Sequence, residues 1–135
     1  MFLEGRVQSG LGRFRQRMTN YPDVFKQATG EDLFPGTLNV KVAAPVPIKE
    51  HFRISGAEIG EPGQDLLFEV CRINGFWAYR IRPYHLSTGL GGHGDDTLEI
   101  TSSVKIPNAS HGSLVQVALL RSEYDRTHSS GAIGV

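Results

Sequence analysis

The sequence predicts a mainly β domain, closed or partly closed into a small barrel, with one short helix. Sixteen glycines and seven prolines cut the chain into runs whose length suits strands better than helices. Several runs alternate apolar and polar residues at the period of a half-buried strand. Many short strands with a single helix also leave exposed edges, which closure into a barrel removes.

A length of 135 residues fits one hydrophobic core. Residues 1–126 read as a single domain and 127–135 as a flexible tail. The expected strands are Phe2 to Gln8, Arg13 to Met18, Thr37 to Val42, Phe52 to Ile59, Leu66 to Ile73, Phe76 to Arg82, Thr97 to Ser102 and Leu114 to Leu120. Asn74-Gly75 joins two of them, because both residues tolerate the positive φ of a two-residue hairpin turn. The helix is expected after Tyr21: Pro22 suits a first turn, Val24, Phe25 and Ala28 follow a 3.6-residue period, and Gly30 ends it. The segment Ser87 to Asp96, rich in glycine and without apolar periodicity, reads as a mobile loop, and the stretch His85 to Asp96 can act as a lid or recruit a different substrate.

Fourteen basic residues balance fourteen acidic ones, so no net field favours a nucleic acid, and small ligands are expected instead. No apolar run approaches the roughly 20 residues that span a bilayer. The first residues show no basic region followed by an apolar one, and the single Cys71 has no internal disulfide partner, which together suggest a reducing cytoplasm. Cys71 lies in the apolar stretch Leu66 to Ile73 and is expected to be a buried small hydrophobe rather than a nucleophile.

Three constellations carry possible chemistry. Ser9-Gly10-Leu11-Gly12 follows the first strand; glycines there let backbone N–H groups approach an oxyanion, although a plain tight turn has the same pattern. Arg13, Arg15 and Arg17 come next, alternating with Phe14, Gln16 and Met18. An extended segment would put three guanidiniums on one face, suited to a polyphosphate or simply to solvent.

The second is Phe34-Pro35-Gly36-Thr37-Leu38-Asn39-Val40-Lys41-Val42. Alternation puts the Thr37 hydroxyl and the Asn39 carboxamide side by side, two hard oxygen donors of the kind Mg²⁺ takes when it arrives with a nucleotide. The same pair is compatible with the wet face of an ordinary strand. The third is His93 to Glu99, whose spacing matches no zinc pattern. Glu99 alone of that group lies in an expected strand, facing opposite to Leu98 and Ile100.

As an ordered set these residues resemble the archaeal-type CTP-dependent riboflavin kinases. The match runs from Leu3-Glu4-Gly5-Arg6-Val7-Gln8-Ser9-Gly10-Leu11-Gly12, through Tyr21, Phe25 and Gly30, to Pro35-Gly36-Thr37-Leu38-Asn39-Val40-Lys41-Val42, and on to Leu98-Glu99-Ile100. The resemblance implies a six-stranded cradle-loop (RIFT-type) barrel. It implies nucleotide (CTP/CDP) contacts at Gly10, Leu11, Gly12, Arg13 and at Val104, Lys105, Ile106 and Pro107, a Mg²⁺ ion on Thr37 and Asn39, and a flavin contact at Glu99. The implied reaction moves the γ-phosphate of CTP to the 5′-hydroxyl of riboflavin, giving FMN. The chain departs from the family pattern in a shorter glycine loop, in Gly91 where a threonine is usual, and in Pro107 where a basic residue is usual. These departures keep a second reading open, a non-catalytic barrel that binds a nucleotide or a flavin.

Overall fold

One antiparallel sheet closes on itself in the computed structural model, which describes residues 1–10, 12–87 and 94–121. The elements in order are β1 (Phe2–Gln8), α1 (Arg13–Asn20), α2 (Pro22–Thr29), β2 (Leu38–Val42), β3 (Phe52–Ile54), a 3₁₀ turn (Gly56–Ile59), β4 (Leu66–Ile73), β5 (Phe76–Pro83), the single turn α3 (Tyr84–Ser87), β6 (Thr97–Thr101) and β7 (Leu114–Leu119). Around the barrel the order is β4-β5-β6-β2-β1-β7 and back to β4, with β3 added outside the ring. The protein is therefore mainly β, with a closed six-stranded barrel and one extra strand. The expected tail 127–135 and most of the glycine-rich loop lie outside the described residues. No helix among the described residues is long and apolar enough to cross a membrane.

The ladders differ in length. β4 and β5 pair from Ile73↔Phe76 at the hairpin to Leu66↔Pro83. β1 pairs with β2 from Gly5↔Val42 to Gln8↔Asn39 and with β7 from Phe2↔Ala118 to Arg6↔Leu114. β2 and β6 pair from Leu38↔Ile100 to Lys41↔Thr97. The β5–β6 ladder runs only from Tyr79↔Thr101 to Ile81↔Glu99, and β4–β7 only from Cys71↔Leu119 to Ile73↔Val117. The other half of the same β4 edge pairs with β3, from Phe52↔Phe68 to Ile54↔Leu66.

Local chemistry explains the elements the sequence foretold. Asn74 and Gly75 take φ of 48° and 85°, the left-handed values a tight hairpin needs. In α2, Pro22 occupies the first turn, and Gly30 closes the helix at φ 78° while its N–H donates to Lys26 O at 2.7 Å.

Two expected strands are corrected. Arg13 to Met18 is the helix α1, so the fold has a second short helix beside the expected one. Phe14 and Met18 share a face at either period, and Gln16 discriminates: a strand would bury it with them, whereas the helix turns it outward to donate to Asn20 Oδ1 at 3.2 Å. Phe52 to Ile59 stops as a strand at Ile54 and continues as the 3₁₀ turn. There the Gly56 N–H donates to Asp65 Oδ1 at 2.9 Å instead of joining a ladder.

Alternation along the strands produces two cores. The barrel interior holds Val7, Val40, Cys71, Ala78, Leu98, Ile100, Val117 and their neighbours. The outer core packs Phe14 and Met18 of α1 and Phe25 of α2 against Ile54, Leu66, Phe68 and Ile81 on the outside of β3, β4 and β5. Cys71 is fully buried, as expected; burial first, then the Glu69 charge, pushes its thiol up to about 12.

Glu69 and Arg80, cross-strand partners on β4 and β5, are both buried, and their charges are 3.6 Å apart. Arg121 grips both Glu69 oxygens at 2.7 and 3.0 Å, and the Lys49 N–H donates to one of them at 3.1 Å. Arg80 donates to Val46 O at 2.6 Å, and burial lowers its pKa to about 10 against the opposing pull of Glu69.

Candidate functional site

Antiparallel pairing brings the end of β1, the start of β2, the end of β6 and the start of β7 to one end of the barrel. Local hydrogen bonds hold these pieces together. The Phe34 N–H donates to Ser102 O at 2.8 Å, fixing the segment before β2 to the end of β6. The Gly112 N–H donates to Val7 O at 2.8 Å and the Val7 N–H to Ser113 O at 2.9 Å, pinning the β6–β7 connection along β1. The Gly36 N–H reaches Met18 Sδ at 3.4 Å, which ties the Pro-Gly turn to α1.

Between these segments lies a cavity of about 670 Å³, within the size range of small-molecule sites. Gly10, Gly12, Thr37 and Asn39 line it together with Val104, Lys105, Ile106 and Pro107, residues nearly a hundred positions apart in sequence. Leu11 lies outside the described residues, as does the Arg13 side chain. Within the arginine series, the helical α1 separates Arg15, which lines the cavity, from Arg17, which turns away to Glu61 at 3.4 Å. The proposed common face of three guanidiniums is therefore corrected, since 3.6 residues per turn rotates alternate positions apart.

Phe34, which opens the Pro-Gly constellation, lines the cavity too, and the structure adds residues outside the expected constellations: Thr101, Ser102, Asn108, Ala109 and Ser110. Pro107-Asn108 is a turn signal that would have extended the candidate segment; Asn108 takes φ 56°. Phe34 is half exposed and offers an aromatic ring, while Lys105 and Arg15 are exposed cations. The combination of a planar apolar contact, cations and hydroxyls suits a phosphorylated aromatic ligand.

The start of α1 adds a further feature. Gly12 is its N-cap, in the left-handed conformation at φ 68°, and no side chain among the described residues caps the helix. The first-turn N–H groups thus lack a capping side chain where the chain leaves the cavity wall, and helix N-termini favour anions.

Thr37 stands one residue before β2, and Asn39 within it lies directly across the ladder from Glu99. The Thr37 hydroxyl donates to Glu99 Oε2 at 3.2 Å. Glu99 meets the site through this bond rather than as part of the cavity wall. Asn39 is only 5 % exposed, and its Oδ1 has no hydrogen-bond partner among the described residues; the same is true of Oγ1 of Thr101, 2 % exposed. Unsatisfied buried oxygens of this kind are worth about 1–3 kcal/mol each to a partner that supplies the missing interaction.

Among the described residues no group of three or more His, Cys, Asp or Glu side chains is placed to hold a metal. Thr37 and Asn39 nevertheless fit a hard divalent ion that brings its own waters and phosphates, because such an ion needs only one or two protein oxygens and Asn39 Oδ1 is unpartnered among the described residues. In comparisons with known proteins, no family model matches the chain and no curated protein matches it.

Proposed function

We propose that the cavity binds a nucleoside triphosphate together with Mg²⁺, and that the protein transfers the γ-phosphate of CTP, or of another nucleotide, to the 5′-hydroxyl of riboflavin. The observation that carries this reading is the single cavity wall shared by Gly10, Gly12, Thr37, Asn39 and Val104 to Pro107. These are the described residues to which the family resemblance assigns phosphate, metal and nucleotide contacts.

In the reaction the riboflavin hydroxyl oxygen bonds to the γ-phosphorus, the bond from that phosphorus to the β–γ bridging oxygen breaks, and the hydroxyl proton leaves to solvent. FMN and the nucleoside diphosphate result. Glycine backbone and the α1 N-terminus would hold phosphate oxygens, Thr37 and Asn39 would hold the ion, and Phe34 offers a surface for an aromatic ring. A bound Mg²⁺ supplies charge neutralisation on the phosphates. The protein's own contribution is positioning, which is the larger part of catalysis in phosphoryl transfer.

Purified protein incubated with riboflavin, Mg²⁺ and each nucleoside triphosphate in turn should form FMN with at least one of them. FMN formation with none of them, alongside nucleotide binding, would instead establish the second reading, a binding protein without turnover. The short β1–α1 connection favours that alternative, since only four residues separate Gln8 from Arg13 and a longer glycine loop would wrap phosphate more fully. If turnover occurs, Thr37→Ala and Asn39→Ala should each abolish it.

A further inference from the structure

The bond between Thr37 and Glu99 gives Glu99 a task other than contacting a flavin. An ionised carboxylate accepts hydrogen bonds and cannot donate them, so the Thr37 hydroxyl hydrogen points at Glu99 Oε2, 3.2 Å away. The lone pairs of Thr37 Oγ1 are then turned from Glu99, and Thr37 is itself a cavity-lining residue. A hydroxyl ligates a hard cation through a lone pair, so this orientation is the one a cation requires.

The strand register reinforces the arrangement. Asn39↔Glu99 is a direct cross-strand pair of β2 and β6, which puts the carboxylate on the same face as the Asn39 carboxamide. Two neutral oxygen donors and one carboxylate therefore share a corner of the site.

Resting on the Mg²⁺-nucleotide reading of the cavity, we infer that Glu99 is a positioning residue for the cation site, fixing the Thr37 hydroxyl as an acceptor toward the ion. The role differs from a direct ligand contact in one measurable respect: it acts through Thr37. Removing the Glu99 charge then matters only while the Thr37 hydroxyl is present.

The test is a double-mutant cycle on cation binding, read by the loss of the free Mn²⁺ paramagnetic resonance signal on titrating protein with CTP present. Wild type, Glu99→Gln, Thr37→Val and the double variant are compared, each checked by thermal unfolding; Thr37→Ala completes the cycle if the valine variant does not fold. Glu99→Gln should weaken Mn²⁺ binding roughly 10- to 100-fold in the wild-type background, as loss of an outer-shell partner does. In the Thr37→Val background the same change should weaken it less than about twofold, because coupled residues are non-additive. CTP binding measured without metal should be nearly unchanged by Glu99→Gln.

Equal Mn²⁺ affinity in wild type and Glu99→Gln overturns the inference and leaves the nucleotide reading standing. Additive losses from the two substitutions also overturn it, and would assign Glu99 an independent contact. Absence of any CTP-dependent Mn²⁺ binding in the wild type overturns the inference together with the reading beneath it.

Discussion

The carboxamide of Asn39 lies so close above Gly10 that a β-carbon at position 10 would stand 1.8 Å from Nδ2. Glycine is thus required at this position by the neighbouring side chain, a demand separate from any freedom of the loop backbone. Gly10→Ala should fold, because the obstructing atom ends a movable side chain, but Asn39 must rotate away from its present place. The expected loss of stability is about 1–3 kcal/mol from overpacking. Nucleotide-dependent thermal stabilisation in the presence of Mg²⁺ should fall far more than the melting temperature itself.

Inside the barrel, Glu69 answers Arg80 and Arg121 at once, so removing it leaves two buried guanidiniums without the carboxylate that both of them face. Glu69→Ala should destabilise the protein by about 3–5 kcal/mol, measured by urea unfolding, through the uncompensated charge rather than through lost packing. Replacing Glu69 and Arg80 together with apolar residues of similar volume should recover part of that loss. Failure of the double variant to improve on Glu69→Ala would show that the second arginine, Arg121, dominates the penalty.

The buried Cys71 thiol should be inert toward a disulfide reagent in the native protein and react only at the rate of unfolding. Its raised pKa also has a consequence for alkaline stability. The unfolded thiol ionises near 9 while the folded thiol holds its proton to about 12. Across that window the folded state binds more protons, and stability falls as pH rises. Cys71→Ala should remove this alkaline contribution; thermal melts between pH 8 and about 11 would show the difference.

Asp65 behaves oppositely. The Gly56 N–H first and Arg53 second hold its carboxyl below the ordinary value of 3.8. Its contribution is present above that value and is lost as pH falls through the lower folded pKa, because protonation removes the negative charge that strengthens both bonds. Asp65→Asn should therefore be less stable than the wild type at neutral pH and should approach it in acid, a convergence visible in melting temperature against pH.

The strand boundaries were legible where burial alternates, as in β1 and β7, and elsewhere because short apolar runs are cut by turn residues, and the hairpin because Asn74-Gly75 answers one geometric need. The helix α1 was not, since Phe14 and Met18 lie four apart and satisfy both a strand and a helix. The facing of Gln16 separates the two, and it turns outward to bond Asn20 along the helix. For the site, the candidate residues could be picked out along the chain, and it took the closure of the sheet to bring Gly10 next to Asn39 and Thr37 next to Glu99. The part played by Asn108 to Ser110 depended on where the β6–β7 connection folds back, which follows from hydrogen bonds to β1 rather than from any local pattern.

The unequal ladders divide the barrel mechanically. The long β4–β5 hairpin is one stiff plate and β6-β2-β1-β7 is the other, and they meet along two short seams, β5–β6 and β4–β7. Every strand of the barrel that contributes to the cavity wall belongs to the second plate. Thermal breathing of the barrel should open the seams first, so amide hydrogens there exchange ahead of those in β1 and β2. A ligand-binding wall carried on one plate can keep its shape while the cylinder behind it flexes.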